Sequence, residues 1–531
     1  MTDGSALLQR FGAADACAAR LLCDDHPADD VAFTVVEPDL SARELTYGEL
    51  GSESARFAAA LADLGVGPGD RVAVLMSRSI ELIVTLLGIW RRGAVLVPLS
   101  TALGRPAIAT RLRVADVALV VVDADRRTKL AAGEGVPADP RWQVVVVRGE
   151  PGRGELSFEA LMALYLDDSL LLPVAAGGGG PLALVFTAGT TGPPKAIAVP
   201  VRALAAFAAA CLADGDRPGD VHWDTADPGW ATGLYSAILG PLATGRRSLL
   251  TRGAIEPSPA WGLLARYRVT HLHAGPAHFR TMAAAGPPPP GLALRHASST
   301  GEPLPPDLVT WAEEVLGRPV RDRYEQAELG TVLVDDTGCG PGTMGRPLPG
   351  WSVAVLDDDR DEPAPTGAIG RLAIDRSASP LMWFTGYAVD VERTAASFTA
   401  DGRWYLTGDT SEVDADGCHR FSARVGDVIV TAGHRIAPFE VESVLMLHQD
   451  VTEAVVVGIP TMRRGTVPEA YVVLRPGTEP AFGLVEELKQ MVRTKLPAYA
   501  VPNVVHVVDG LPRTPGGSVR RAALRERRAN W

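Results

Sequence analysis

Two stretches near the N-terminus alternate a helical pattern with a short apolar run, and this alternation constrains the fold most. RFAAALADLGVGPGDRVAVLM reads as a helix, a Gly-Pro-Gly turn and a strand, and ELIVTLLGIWRRGAVLVPL repeats that order. VALVVVDAD and WQVVVVRG are further short β-rich runs. Buried strands that alternate with amphipathic helices are typical of a parallel sheet covered by helices on both faces. The pattern predicts an α/β fold with parallel or mixed sheets.

The chain divides into a large and a small domain. Its 531 residues are too many for one hydrophobic core. After Arg424 the character changes: GDVIVTAGHRIAPFEVESVLM, EAVVVGIP, AYVVLRPG and a helix around 482–495 form a compact α+β pattern. We expect a large N-terminal domain over 1–423 and a smaller, mobile α+β domain over 427–531, joined by a hinge near 424–427.

The bulk charge argues against general binding to nucleic acid or to an anionic membrane. The net charge is −12, so the average surface repels polyanions. The longest apolar run, LIVTLLGIW, is much shorter than the roughly 18–20 residues of a membrane span. The start MTDGSALLQRFGAAD is acidic and lacks the pattern of a signal peptide. We expect a cytoplasmic monomer or homodimer with no nucleic-acid or membrane partner.

The cysteines are few and scattered. Their number is odd, no C-x-x-C occurs, and they stand at Cys17, Cys23, Cys211, Cys339 and Cys418. Neither a disulfide framework nor a structural zinc site is expected from such spacing, and a reducing compartment fits.

The stretch VFTAGTTGPPKAIAV, residues 185–199, places Lys195 at the end of a loop of small and hydroxyl residues. Lys195 is one of four lysines in a chain with 47 arginines. Small residues let backbone N–H groups converge on an anion, and lysine supplies a compact positive charge. On this stretch alone, a phosphate-binding loop and an ordinary turn after a buried strand fit equally well.

The loop is one of several motifs that occur together. The others are LTYGEL with GVGPGDRVAVLM, TADPGWATGLYSAILGPL, LRHASSTGEPLPP, DRYEQAELG, GTMGRPLPGW, WYLTGDTSEVDADG, ARVGDVIVTAGHRIAPFEVE and LPRTPGGSVRR. Their order over roughly residues 40–525 resembles the adenylate-forming enzymes, which include acyl-CoA synthetases, adenylation domains and luciferases. DPGW and GEPLPP are similar to the acetyl and medium-chain acyl-CoA synthetase branch. The resemblance implies activation of an acid by ATP and Mg²⁺, with coenzyme A as a candidate acceptor.

The same resemblance implies a nucleotide-binding set. The loop would hold the β- and γ-phosphates, GEP would lie along adenine, Tyr324 would stack near the nucleotide, and Asp409 would accept from the ribose hydroxyls. Arg424 would support the ribose or the phosphates, and Arg435 would approach from the small domain. The remaining members are Thr187, Gly189, Thr190, Thr191, Gly192, Lys195, Gly301, Glu302, Pro303, Asp322, Arg323, Glu325, Gln326 and Ala327.

Glu328 and Thr187 are the metal ligands that the resemblance implies, since Mg²⁺ prefers carboxylate and hydroxyl oxygen. The expected catalytic residues are Glu328, Lys195 and Ser518. Ser518 stands in PRTPGGSVRR where the family usually has a lysine, whose charge offsets charge growing on the carboxylate and α-phosphate. Loss of one such contact typically costs about 3–4 kcal/mol in the transition state.

The implied substrate pocket comprises Trp230, Gly275, Thr300 and Glu325. Glu325 replaces the usual Gly or Trp at the floor of the acyl pocket. A carboxylate there shortens the pocket or awaits a cationic or amine-bearing substrate, because an unpaired buried charge is costly. Long acyl chains are therefore not expected. The histidines in THLHAGPAH (His271, His273, His278) suggest core or loop positions first, pocket lining second, and a metal site last, since no acidic or thiol partner is nearby in sequence.

Further departures from the family pattern are Ala188 for Ser, Ala327 for Thr and Gly426 at the hinge, where glycine would loosen domain rotation. Four functions remain open. One is an adenylating ligase for a small or amine-bearing acid, and another is an enzyme limited to the thioester half-reaction or to a pre-made adenylate. A third is ATP-dependent activation of an oxyacid such as nitrite for diazotisation of an aryl amine. The last is a non-catalytic nucleotide-binding relative.

Overall fold

The computed structural model describes residues 4–165, 172–187, 194–215, 217, 219–253, 257–304, 306–335, 338–340, 342–424, 427–431, 434–461, 465–478, 480, 482–514, 517 and 519–529. It is a mixed α/β protein with a large N-terminal part built on several sheets and a smaller C-terminal part. The predicted fold class is confirmed. The exact boundary at 424–427 stays a prediction, and Val425 and Gly426 lie outside the described residues.

One sheet of the large part contains the first helix–strand repeats of the sequence. Its strand order is β7-β6-β5-β3-β4-β8-β9, parallel except for the antiparallel β9. The strands are β3 Arg71–Leu75, β4 Val95–Pro98, β5 Leu119–Asp123, β6 Gln143–Val147, β7 Leu156–Ser157, β8 Pro181–Phe186 and β9 Ala196–Pro200.

A second sheet has the order β16-β15-β14-β13-β12-β10-β11-β1-β2. The run from β14 to β1 is parallel, and antiparallel strands extend both ends. The strands are β1 Val31–Val36, β2 Ala42–Thr46, β10 Val221–Asp224, β11 Arg247–Thr251, β12 His271–His273, β13 His296–Ser299, β14 Val320–Gln326, β15 Gly330–Val334 and β16 Arg346–Pro347.

Two antiparallel sheets follow. The first comprises β17 Val353–Leu356, β18 Gly370–Asp375, β19 Trp404–Val413 and β20 His419–Arg424. The second, in the small part, comprises β21 Ile429–Thr431, β22 His434–Ile436, β23 Val451–Thr461, β24 Gly465–Leu474 and, parallel to β24, β25 Val504–Val507.

Helices cover these sheets and begin where the sequence offers caps. The Thr46 side chain accepts from the Glu49 backbone while Glu49 reaches back to Thr46, a reciprocal capping box that starts α2. The helices are α1 Gly4–Phe11, α2 Tyr47–Asp63, α3 Ile80–Arg91, α4 Arg105–Val114, α5 Phe158–Leu164, α6 Leu204–Leu212, α7 Ala231–Gly233, α8 Gly240–Thr244, α9 Pro257–Arg266, α10 Pro276–Ala284, α11 Pro306–Leu316, α12 Val391–Ala396, α13 Pro438–Leu445, α14 Leu484–Lys495 and α15 Arg521–Ala529. Within the described ranges, no helix is long and apolar enough to cross a bilayer.

The small part has its own hydrophobic core and is fastened by ion pairs. Val441 of α13, Val456 of β23 and Leu488 of α14 are fully buried in that core. Arg521, at the start of α15, donates to both carboxylate oxygens of buried Glu442, at 2.8 and 3.1 Å. Arg525 pairs with Asp427, so the last helix is anchored beside the predicted hinge.

The expectation about cysteines needs a correction. Cys339 and Cys418 form a disulfide, with a Cα–Cα distance of 5.6 Å. They are 79 residues apart in sequence. The loop before β16 lies against the start of β20, where Gly345 pairs with His419. Tertiary contact therefore creates a proximity that sequence spacing does not reveal.

Candidate active site

Strand β14 sends its side chains alternately to two different surroundings. Tyr324 and Gln326 contact Asp409 of β19, whereas Arg323 and Glu325 line a cavity on the other side. Successive residues of a strand point to opposite faces, so this separation follows from the strand itself. DRYEQAE thus serves two neighbouring compartments, one on each face of β14.

The first compartment is built around the Asp409 carboxylate. The Tyr324 hydroxyl donates to Asp409 Oδ2 at 2.6 Å, Gln326 Nε2 donates to the same oxygen at 3.2 Å, and Arg424 Nε lies 3.7 Å from Oδ1. Asp409 and Arg424 are direct partners in the β19–β20 ladder. Burial raises the pKa of Asp409, while Arg424 and the two hydrogen bonds oppose that rise. We call these four residues the Asp409 cluster.

A chain of three side chains forms the Glu328 cluster. Lys195 Nζ donates to the Tyr387 hydroxyl at 3.0 Å, and that hydroxyl donates to Glu328 Oε1 at 2.8 Å. The ammonium also lies 4.8 Å from the centroid of the Tyr387 ring, within cation–π range. Glu328 is 7% exposed. The chain therefore holds a lysine cation and a buried carboxylate on the two sides of one phenol.

Tyr405 joins the two clusters, since its phenol hydrogen-bonds with Tyr387 on one side and with Gln326 on the other. Its hydroxyl donates to Gln326 Oε1 at 3.1 Å, and Gln326 in turn contacts Asp409. Burial raises the pKa of the Tyr405 phenol far above its usual range, and the negative charge of Glu328 adds to the rise. The structure thus brings Tyr324, Glu328, Asp409 and Arg424 into one connected site.

Backbone contacts hold Thr187 and Lys195, at the two ends of the predicted phosphate loop, beside each other. The Thr187 backbone N–H donates to the Lys195 carbonyl at 3.1 Å, which closes the loop between β8 and β9. Tyr387 is held nearby, because Ile197 forms a bridge with it and the Ala388 N–H donates to the Ala196 carbonyl at 2.8 Å. β9 therefore carries Lys195 against the segment that presents Tyr387.

Asp322 is buried and hydrogen-bonds to the backbone of its neighbours. Its carboxylate accepts from the Leu304 N–H at 3.3 Å and from the Arg323 N–H at 2.9 Å. Burial raises the pKa of Asp322 to about 8, and the charge of Asp335 adds to this. Asp322 thereby ties the loop that carries Gly301, Glu302 and Pro303 to β14; Gly301 has φ +95°, a conformation that favours glycine. The nucleotide contact expected for Asp322 stays a prediction.

Arg323 and Glu325, also predicted to bind the nucleotide, lie on the face of β14 away from Asp409, and their nucleotide contact stays a prediction. Arg323 forms a buried ion pair with Asp214 on the cavity side of β14, where Glu325 lies as well. Ala327 offers a backbone carbonyl to the Tyr235 hydroxyl at 2.8 Å. Successive side chains of a strand point to opposite faces, which explains why neighbouring residues of this motif lie in different surroundings.

Several predicted residues cannot be placed. Gly189, Thr190, Thr191, Gly192 and Ser518 lie outside the described residues, as do Ala188 and Gly426. The backbone of Arg435 pairs with Val430 in β22, and its side chain lies outside what the structure describes.

The second compartment is the polar cavity behind β14. The cavity has a volume of about 60 Å³. Its lining includes Phe207, Asp224, Tyr235, His273, Ser298 and Glu325. Of the predicted pocket residues, Glu325 borders it, whereas Trp230 packs beside the core around Phe186, and Thr300 donates to the Arg323 carbonyl at 3.0 Å. Gly275 precedes α10, with the Thr300 carbonyl 3.9 Å from where a Cβ would stand.

Histidines occupy matching positions on three adjacent strands of this sheet. His222, His271 and His296 are in register, with ring centroids 4.2 and 4.7 Å apart in stacked geometry. Burial lowers the pKa of His271 and of His273 to about 4, so both rings are neutral near pH 7. Both border the cavity, which is the pocket-lining alternative; His278 instead packs edge-to-face on Trp223. No His, Cys, Asp or Glu group in the described ranges could hold a metal ion by itself.

Sequence reasoning missed Tyr387, Asp214 and Asp224. A signal existed for the cavity: VHWD, HLH and HASS place polar side chains on alternate positions of parallel strands, where buried sheets usually carry apolar ones. For Tyr387 the only signal is an aromatic-rich stretch, MWFTGY.

The two-part α/β fold and a site that joins a loop lysine, a buried glutamate and an aspartate cluster define an adenylate-forming ligase of the acyl-CoA synthetase type. The chain belongs to the AMP-binding enzyme family: residues 22–387 match the family model described as AMP-binding enzyme, and residues 440–517 match the AMP-binding enzyme C-terminal domain. The protein is therefore an enzyme of the AMP-binding family.

Known proteins agree with this assignment. The chain is 32% identical to an acetyl-coenzyme A synthetase of Bacillus subtilis, over 90% of this chain and 84% of the relative. An acyl-CoA synthetase structure from Brucella canis is 38% identical, with a TM-score of 0.76 over 99% of this chain and 97% of that one. The anthranilate CoA ligase AuaEII, in complex with anthranoyl-AMP, is 25% identical, with a TM-score of 0.86 over 97% of each chain.

Proposed function

We propose that this protein uses Mg·ATP to convert a small or amine-bearing carboxylic acid, not a long-chain one, into its adenylate, with coenzyme A as a candidate acceptor. A carboxylate oxygen of the acid attacks the α-phosphorus, the bond to the β-phosphate breaks, and pyrophosphate leaves. A thiol then attacks the acyl carbon and AMP leaves. The observation that carries the proposal is the continuity of the Asp409 and Glu328 clusters.

The Asp409 cluster suits the ribose. An ionised carboxylate accepts strongly from two neighbouring hydroxyls, and Tyr324 and Gln326 hold Asp409 in place from one side. Arg424 keeps a positive charge beside it. Gly301, Glu302 and Pro303 would border the adenine.

The Glu328 cluster suits the triphosphate and its metal. Mg²⁺ is usually bound through one or two carboxylates together with substrate phosphates, so one buried glutamate with the Thr187 hydroxyl fits its oxygen chemistry. Bound Mg²⁺ would offset phosphate charge. Lys195 would place its ammonium on the phosphates, and Tyr387 would keep that ammonium and Glu328 from collapsing onto each other.

Ser518 affects the rate of adenylation rather than the binding of ATP. A hydroxyl cannot supply the positive charge that the family's lysine brings to the transition state, so the proposal predicts slow adenylation. An enzyme limited to the thioester half-reaction, or a nucleotide-binding relative without turnover, would follow if the loss is complete.

Activation of nitrite is the second candidate, and the polar, carboxylate-bearing cavity favours it because an aryl amine could occupy that space. A nitrite oxygen would attack the α-phosphorus and expel pyrophosphate. The amine would attack the nitrogen and expel AMP, and loss of water would give the diazonium ion. AuaEII, a structural relative named for an amine-bearing acid, supports amines in this branch for either candidate.

A pyrophosphate-release assay over a panel of small acids and nitrite, with and without coenzyme A and with and without an aryl amine, tests these proposals. Release with an acid but without thiol supports adenylation. Release that needs nitrite together with the amine supports diazotisation. If no combination gives release while calorimetry detects ATP or AMP binding, the protein is a nucleotide-binding relative and the proposal is wrong.

A further inference from the structure

The polar cavity contains buried polar atoms that lack partners. Glu325 Oε1 and His273 Nε2 are buried without a hydrogen bond of ordinary geometry to any residue that the structure describes. The Glu325 carboxylate has two hydroxyl neighbours: Oε2 accepts from Thr331 at 3.4 Å, and the Thr232 hydroxyl also hydrogen-bonds to the group. Buried polar groups in native proteins are nearly always satisfied, so unpartnered atoms that line one cavity point to a polar ligand.

The neighbouring charges define which polar ligand fits. Asp224 Oδ2 lies 3.9 Å from His273 Nε2, so two carboxyl groups border the same imidazole. Arg323, a cation in the lining, has its charge offset by its ion pair with Asp214, although its Nε is also buried without a hydrogen bond among the described residues. Because Asp224 and Glu325 add two further carboxyl groups to the lining, a ligand group that donates N–H bonds fits the cavity better than an anionic group.

The surroundings of Glu325 leave room for a further hydrogen-bond donor to its carboxylate. Burial raises the pKa of Glu325, and the attraction of His273 and the Thr232 hydroxyl only partly oppose the rise. The His273 ring keeps Nδ1 at 2.9 Å from the Ser298 hydroxyl, which leaves Nε2 as the atom facing the cavity. An aromatic pair, Phe207 stacked on Tyr235 with centroids 4.1 Å apart, forms an apolar wall of the same space.

We propose that this cavity binds a primary amine at the end of the acid remote from its carboxylate, held by Glu325 Oε1 and His273 Nε2. A primary amine has two N–H donors for these two atoms, a hydroxyl has one, and a methyl group has none. The identification of the amine as part of the acid rests on the proposed function; the amine site itself rests on the cavity alone.

Binding of matched acids, measured by calorimetry with a saturating non-hydrolysable ATP analogue, tests the proposal. The pairs are 3-aminobenzoate with 3-methylbenzoate, and 4-aminobutanoate with pentanoate, which separate an aryl amine from an alkyl ammonium. We expect the amine of at least one pair to bind about 10- to 100-fold more tightly than its methyl counterpart, because the methyl group leaves both atoms unpaired.

Variants assign the preference to Glu325. Glu325→Leu should reduce the amine-to-methyl ratio to about one, and Glu325→Gln, which keeps an acceptor oxygen without charge, should fall between. Glu314→Leu, at an exposed glutamate of α11, is the matched control and should keep the wild-type ratio. Equal or reversed preference in the wild type, no binding by any of the acids, or a ratio unchanged in Glu325→Leu would each overturn the amine site.

Failure of the proposed function gives a different result. If the amines bind with the expected preference but no acid supports pyrophosphate release, the amine site stands and adenylation fails. If acids are adenylated without regard to the amine, adenylation stands and the amine site fails.

Discussion

Tyr387→Phe tests whether the Glu328 cluster is the working centre of the site. The phenol makes two hydrogen bonds to charged groups, 3.0 Å to the Lys195 ammonium and 2.8 Å to the Glu328 carboxylate. Hydrogen bonds to charged groups contribute roughly 1.5–3 kcal/mol each. Phenylalanine keeps the ring and its contact with the ammonium, so the change removes the hydroxyl alone.

The expected loss is smaller than the sum of the two bonds, because bound nucleotide offers Lys195 other partners. We expect about 2–3 kcal/mol, which is about a 30- to 150-fold fall in kcat/KM for ATP, since about 1.4 kcal/mol corresponds to a factor of ten. Glu328 is 7% exposed, so water does not readily replace the lost donor.

The assay is continuous pyrophosphate release at varied ATP with the best acid of the panel, supported by calorimetry of ATP binding. Tyr267→Phe is the matched control, because its hydroxyl has only a 3.5 Å contact with the Leu40 carbonyl. A Tyr387→Phe enzyme whose kcat/KM for ATP stays within threefold of the wild type would refute the role given to the cluster.

Three further predictions follow from individual residues. Ser518→Lys should speed adenylation in the pyrophosphate assay, by about 100- to 1,000-fold if one electrostatic contact is fully restored; a slower variant would show that Ser518 has its own role. Asp322→Asn should stabilise the protein relative to the wild type, by an amount that grows as the pH rises from about 4 to 8. Burial raises the folded-state pKa of Asp322 to about 8, so across that window the unfolded wild type gives up the proton while the folded wild type keeps it, and the wild type loses stability. A melting-temperature difference between variant and wild type that is equal at pH 5 and pH 8 would contradict this. Arg521→Met should lower the free energy of unfolding of the small part by about 3–5 kcal/mol in denaturant, because buried Glu442 loses both hydrogen bonds. Arg513→Met should cost at most about 1 kcal/mol, because its partner is a half-exposed glutamate. Equal losses in the two variants would contradict the view that Arg521 anchors the last helix.

The amino-acid sequence determined the local structure and the chemical inventory. Short apolar runs placed β3, β4, β5 and β6, and helical patterns placed α2 and α3, because such patterns reflect which face of each element is buried. The motif residues Tyr324, Asp409 and Arg424 were predicted from the family resemblance, which short contiguous segments of the sequence carry.

Tertiary structure decided everything that depends on residues far apart in sequence. Tyr387 gained its role from a bridge to β9, some 190 residues earlier, and Cys339 met Cys418 because two loops pack together. The division of DRYEQAE between the Asp409 cluster and the polar cavity required both sequence and tertiary structure. Strand geometry separates neighbouring residues onto opposite faces, but only the packing of β10, β12 and β19 around β14 determines what each face meets.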